Sequence, residues 1–123
     1  MAARILVRNA TAGDVPTLVD LLHEAYAEYR NQLDPPSGAF RESPASIGDL
    51  RNHQAALAAE LAGQLVGCVF YDLRVDKFPV TCWMHRLAVL PSARRQGVGA
   101  KLVAGVEAAA WTAGAPAVRL GVR

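Results

Sequence analysis

The sequence predicts a mixed α/β (α+β) fold, with a largely antiparallel central sheet flanked by helices, in the order β-α-α-β-β-β-α-β. Three observations point there. Short β-rich runs alternate with segments of helical spacing, two of those runs flank a glycine turn, and 123 residues suit one compact domain over 1–123. Hydrophobic residues make up 52% of the chain, but 23 of its residues are alanine, so the figure reflects small side chains and not a membrane segment. No signal peptide or transmembrane helix is expected, and a charged fraction of 20% with recurring apolar residues excludes a disordered chain.

Arg4 to Arg8 alternates as a first strand, and Thr11 to Asp14 supplies a turn and helix cap. From Asp14, the residues Val15, Leu18, Val19, Leu22, Tyr26 and Tyr29 fall on one helical face, with Pro16 tolerated in the first turn, so a helix is expected to about Arg30. Asn31 to Pro44 holds three prolines and a glycine and reads as a long loop, the kind that tends to carry function. A short helix is expected over Ser46 to Asn52. Ala55–Leu61 and Leu65–Tyr71 then flank Ala62-Gly63-Gln64 as a β-hairpin, the second arm being apolar enough for a central strand. Asp72 to Pro79 reads as a turn, Thr81 to Leu90 as a strand ended by Pro91, Gly97 to Thr112 as a helix with Val98, Leu102, Val106 and Ala109 inward, and Ala117 to Val122 as a last strand.

Charge is distributed unevenly. Residues 1–76 carry 6 basic and 10 acidic side chains, whereas residues 77–123 carry 7 basic and 1 acidic, so the second half is suited to an anion. Nucleic acid fits poorly, because the arginines gather at one loop without interleaved aromatics or a recognition-helix pattern. Leu87-Ala-Val-Leu-Pro-Ser-Ala-Arg-Arg-Gln-Gly-Val-Gly-Ala-Lys101 reads as strand, arginine-bearing loop and helix start. A helix N-terminus offers unpaired N–H groups and a positive dipole end to phosphate, glycines at 97 and 99 let a ligand approach the backbone, and Arg94 and Arg95 add charge. The competing reading is a plain tight strand-to-helix turn. A Walker loop and a dinucleotide fingerprint are both absent.

Arg94-Arg-Gln-Gly97-Val-Gly99 resembles the Arg/Gln-x-x-Gly-x-Gly/Ala signature of the GNAT superfamily of acyl-CoA-dependent N-acyltransferases. Leu87-Ala-Val89-Leu-Pro91, Leu102-Val103 and the Glu60–Gly67 hairpin are similar to the same family, from near residue 4 to the end. The resemblance implies acetyl-CoA as acyl donor, no metal, and direct transfer to a primary amine of a small molecule or peptide. It places the pantetheine arm on Leu87, Ala88 and Val89, where a backbone N–H would also polarise the thioester carbonyl. It places the pyrophosphate on Arg95, Gln96, Gly97, Val98, Gly99 and Ala100, with Arg94 at the motif's first position. The alternatives are a weak or inactive acetyl-CoA-binding regulatory module, or a fragment of a longer enzyme.

Transfer requires a neutral amine, and a lysine-like group of pKa about 10.4 is neutral to only about one part in a thousand near pH 7.4, a cost of roughly 4 kcal/mol. The strand before the motif, Trp83-Met-His85-Arg86-Leu87, has no carboxylate, so His85 is the candidate catalytic base, against the reading of a histidine packed on the sheet. Glu28, Asp72 and Tyr71 are weaker candidates. Arg86 either binds an acidic acceptor or is a solvated strand residue. Cys68 is an acyl acceptor only if the chemistry is ping-pong, and packing is the simpler role. Trp83 and Trp111 read as core, and Tyr26 as core or pocket wall. Cys68 and Cys82 fall on expected strands without metal-ligand spacing, so a reduced cytoplasmic setting is expected in place of a disulfide framework. The family's usual last helix and two strands are not found before Arg123, so the last strand is expected to have an open edge covered in a homodimer.

Overall fold

The computed structural model describes residues 4–27, 43–53, 55–76 and 78–120. Its elements are β1 (Ile5–Asn9), α1 (Val15–Tyr26), α2 (Pro44–His53), β2 (Ala55–Leu61), β3 (Gln64–Arg74), β4 (Thr81–Val89), α3 (Val98–Ala113) and β5 (Val118–Leu120). They follow the expected order. The sheet has five strands in the order β1-β2-β3-β4-β5, with every neighbouring pair antiparallel except β4 and β5.

Most boundaries shift by a residue or two. Asp72, Leu73 and Arg74, read as turn, extend β3 because they pair with Trp83, Cys82 and Thr81 of β4. Pro44, assigned to the loop, begins α2, where its missing N–H costs no helical bond. The rest of the Asn31–Pro44 loop up to residue 42, and the extension of α1 to Tyr29 and Arg30, lie outside the described residues. In the β2–β3 hairpin, Ala62 and Gly63 both take positive φ, 53° and 80°, so Gln64 already pairs with Leu61.

Two apolar layers cover the sheet. On one side α1 and α2 bury Leu18, Leu22 and Ile47 against Phe70 and Cys68 of β3. On the other, α3 lays Val98, Leu102, Val106 and Ala110 onto Val69 of β3 and Cys82 of β4. The buried stripe of α3 repeats every four residues, which brings Ala110 inward and leaves Ala109 only half-buried. Each fully buried leucine stabilises the fold by about 1.5–3 kcal/mol.

An ion network fixes the entrance to α1. Arg8 of β1 grips Asp14 through Nη1–Oδ2 at 2.7 Å and Nη2–Oδ1 at 3.0 Å, while its Nε donates to Glu60 of β2 at 2.8 Å. Asp14 also accepts the backbone N–H of Thr11 at 2.7 Å. The Arg8 guanidinium, helped by Thr11, therefore holds the Asp14 carboxyl well below the usual carboxylate range. A depressed acid contributes stability above its unfolded pKa of about 3.9 and loses that contribution as pH falls through and below it. Asp14→Asn should therefore be about 1 kcal/mol less stable than wild type at pH 7, with the gap shrinking at pH 3, as read from urea midpoints.

Candidate functional site

The site is built where β4 leaves its neighbour β5. Cys82, Trp83 and Met84 pair with Val118, Arg119 and Leu120, and among the described residues β5 reaches no further along β4. Among the described residues, no strand pairs with the outer side of β4 from Leu87 to Val89. The β3–β4 register also slips here. Phe70 faces His85 and Cys68 faces Ala88, so Arg86 and Leu87 together oppose Val69. This is a β-bulge, and Arg86 occupies it in left-handed backbone with φ 53°.

The bulge aims backbone groups outward. The Cys68 thiol lies 3.8 Å from the carbonyl oxygen of Arg86, so that carbonyl turns toward β3 and the N–H of Leu87, across the same trans peptide, turns away. Further along, the Leu90 N–H donates to Val66 of β3 at 2.8 Å. Strand alternation then puts the polar groups of Val89 on the outer edge with those of Leu87. Leu87, Ala88 and Val89 line a groove of about 370 Å³ with Ala25, Tyr26 and Arg94. The three residues expected to meet a pantetheine arm are thus together, beside the C-terminal end of α1.

The start of α3 lies next to Val89, the last groove residue of β4. Arg95 (φ 66°) and Gly97 (φ 84°) are both left-handed, and Gly97 is the N-cap. The first helical bond runs from the Lys101 N–H to the Gly97 carbonyl at 3.1 Å, so the N–H groups of Val98, Gly99 and Ala100 precede it at the positive end of the helix. A Cβ built on Gly97 would meet nothing within 4 Å, and one on Gly99 would meet only Val89 Cγ2 at 3.8 Å. Among the described residues, only Val89 borders the space over these glycines, which is the space a phosphate group needs. Arg95 and Gln96 are exposed at its rim.

Arg94 behaves differently from its neighbour. Its Nη2 donates to the carbonyl of Ala25 in α1 at 3.0 Å and its Nε to that of Val89 at 3.3 Å. The guanidinium therefore staples the end of α1 to the end of β4, and its charge reaches the groove from the protein side. Arg94→Lys should lower stability by about 1–2 kcal/mol in urea unfolding, because an ammonium cannot reproduce the fixed fork across two carbonyls.

His85 shares a face of the sheet with Phe70, their ring centroids 6.2 Å apart, and its Nδ1 lies 2.8 Å from Nη1 of Arg86. A guanidinium only donates, so Nδ1 is the acceptor and the neutral ring carries its proton on Nε2. For His85 to take a proton, Arg86 must first leave Nδ1. Arg86 is accordingly half-buried and bonded to His85, not a plain solvated residue. Of the weaker candidates, Asp72 accepts from Arg74 Nε at 2.6 Å, Tyr71 is buried on the α3 side, where burial raises its hydroxyl above the usual range, and Glu28 lies outside the described residues. Burial pushes the Cys68 thiol up to about 12, which removes the thiolate that ping-pong chemistry needs. The two tryptophans correct the expectation of core: Trp83 is 41% exposed, with Arg119 over its ring at 5.8 Å, and Trp111 is 84% exposed.

Two further positions shape the site, Tyr26, read from the sequence as core or pocket wall, and Gly67, to which the sequence reading gave no role there. Tyr26 donates its hydroxyl to the Leu87 carbonyl at 2.6 Å. Gly67 lies under the start of α3, where a Cβ would come within 2.9 Å of Val98 Cγ1 and 3.1 Å of the Ala88 carbonyl. A signal for Gly67 was available, since a glycine inside an apolar strand marks a bulge or a close approach.

The family model for the Acetyltransferase (GNAT) family matches residues 15–123, a span that contains the whole groove and cradle. The chain belongs to the GNAT acetyltransferase family. Solved structures share this GNAT fold. The aminoglycoside N-acetyltransferase AAC(6')-Iy in complex with CoA is 18% identical, with a TM-score of 0.74 over 100% of this chain and 80% of that one. A transcriptional regulator from Bacillus halodurans C-125 is 16% identical, with a TM-score of 0.74 over 98% of this chain and 83% of its own. The glucosamine N-acetyltransferase region of a fungal multi-domain GH3 beta-N-acetylglucosaminidase gives a TM-score of 0.80 at 19% identity, covering 100% of this chain and 14% of that one. At such identities the likeness is one of fold. No curated protein sequence matches the chain.

Proposed function

We propose that this GNAT chain is an N-acetyltransferase that moves an acetyl group directly from acetyl-CoA to a primary amine. The observation that carries the reading is the outward-turned edge of β4 at Leu87–Val89, whose Val89 side chain lies 3.8 Å from the Cβ position of Gly99 in the helix-start cradle. Acetyl-CoA, when bound, supplies an activated thioester acyl group. The chain's residues would hold it with two kinds of donor. The N–H groups of Leu87 and Val89 would donate to its amide and thioester carbonyls, and those of Val98, Gly99 and Ala100 to its pyrophosphate. The exposed Arg95 adds charge at the rim.

For the acceptor, we assign His85 as the base, released from Arg86 when the amine binds. A rate against pH that is unchanged in His85→Ala would remove it from the mechanism. The hold of Arg86 on Nδ1 also favours a second reading, a module that binds acetyl-CoA and turns over slowly, because among the described residues no other side chain is offered as base on this edge. Calorimetric titration with acetyl-CoA tests what both readings share, and the absence of binding would reject both. Thiol release over a panel of amines, including aminoglycosides and amino sugars, then separates them, since only the enzyme reading expects turnover.

A further inference from the structure

We propose that Tyr26 is a positioning residue, whose hydroxyl sets the direction of the bulge N–H at Leu87 by anchoring the carbonyl of that same residue. The proposal rests on the acetyltransferase reading of the groove and adds a residue on α1 to it. Leu87 follows Arg86, whose left-handed backbone (φ 53°) is an unfavourable conformation for a side-chain-bearing residue. A bulge also leaves the strand pairing locally broken, so the peptide planes on either side are less constrained than in a regular ladder. Two contacts restrain them here. On the inner side the Cys68 thiol sits at 3.8 Å from the Arg86 carbonyl, and on the outer side the Tyr26 hydroxyl donates to the Leu87 carbonyl at 2.6 Å. Tyr26 is itself held in place, because the next residue back, Ala25, is tied to Arg94.

The second consequence concerns polarity. The outer-edge carbonyls of Leu87 and Val89 accept from Tyr26 and Arg94, respectively. The N–H groups of the same two residues lie on that edge as donors. An acyl thioester with its chain of amides brings carbonyl acceptors to such an edge, and a donor-rich ligand finds the carbonyls already engaged. Tyr26 thus biases the edge toward the acyl donor as well as aiming it.

The test is Tyr26→Phe, which keeps the ring and removes the donor. At saturating acetyl-CoA and amine, kcat should fall about tenfold, the loss expected for one misdirected hydrogen bond, while KM for acetyl-CoA stays within about twofold. In the cofactor-free protein, the carbonyl-carbon resonance of Leu87 and the amide resonance of Ala88 should move, since the two share one peptide. If Tyr26→Phe does not fold, a fluorinated tyrosine at position 26 replaces it. Its hydroxyl is more acidic, phenolate formation is followed by its absorbance, and kcat should fall as the phenolate forms. Wild-type kcat in Tyr26→Phe with unmoved Leu87 and Ala88 resonances, or a fluorinated protein whose rate follows wild type at every pH, would overturn the proposal. A wild-type protein that does not bind acetyl-CoA would reject the underlying reading instead, and the resonance shifts would still report on Tyr26.

Discussion

Gly67→Val should lower the unfolding free energy by about 3 kcal/mol and Tm by roughly 10 °C. The position is buried in β3, directly beneath the first turn of α3. A Cβ there would lie 2.9 Å from Val98 Cγ1, 3.1 Å from the Ala88 carbonyl and 3.1 Å from Leu102 Cδ1. None of these yields cheaply. One is backbone of the adjacent strand, one belongs to a β-branched side chain with little χ1 freedom in a helix, and the third belongs to a fully buried leucine. The helix start must therefore lift, and with it the N–H groups of the cradle, so affinity for acetyl-CoA should fall along with stability. Gly105→Ala is the control. Its Cβ would approach Leu57 Cδ1 at 2.8 Å, the movable end of a side chain, while helix propensity gains about 1 kcal/mol. That variant should unfold within about 1 kcal/mol of wild type and keep its affinity. A Gly67→Val protein as stable as wild type would show that α3 does not rest on this point.

The elements of the fold were legible because each carries its own local signal. The run of Leu18, Val19 and Leu22 gives α1 its face, and the Ala62-Gly63 turn gives the hairpin its register. Boundaries drifted where tertiary pairing decided them. Nothing local marks Asp72 to Arg74 as strand, and only their partners in β4 extend β3 across them. The same limit explains the tryptophans. A large aromatic in an apolar segment reads as core, yet Trp111 lies off the Leu102–Val106–Ala110 stripe of α3 and faces outward.

The site was half legible for a related reason. The glycines and the strand before them announce a backbone cradle, because backbone function needs particular residue types at particular spacings. Side-chain roles that depend on long-range contacts leave no such trace. Arg94 read as a phosphate ligand, and its bonds to Ala25 and Val89 appear only once α1 and β4 are side by side. Tyr26 falls on the apolar stripe of α1, and its 61-residue reach to Leu87 is invisible in helical periodicity. His85 was singled out by its chemistry, but its partner is the next residue, placed against it by a bulge that no residue type in the strand foretells.

Gly97→Val should reduce affinity for acetyl-CoA about 100-fold while lowering stability by only about 1–2 kcal/mol. The residue has φ 84° at the N-cap of α3, and its Cβ would meet no atom within 4 Å. Crowding is therefore not the penalty. The cost is the backbone conformation, which a β-branched residue escapes by rotating the adjoining peptides, and those peptides carry the N–H groups aimed at the ligand. Gly99→Ala separates binding from stability in the opposite direction. It lies in the first turn of α3 without a positive φ, and its Cβ would make an ordinary 3.8 Å contact with Val89 Cγ2. Alanine there should raise Tm slightly, since helix propensity improves by about 1 kcal/mol, while the added methyl stands where a phosphate must approach and weakens binding about tenfold. Calorimetry and thermal unfolding on the two variants decide the matter. If Gly99→Ala binds acetyl-CoA as wild type does, the ligand does not come close to the start of α3, and these glycines serve only the turn.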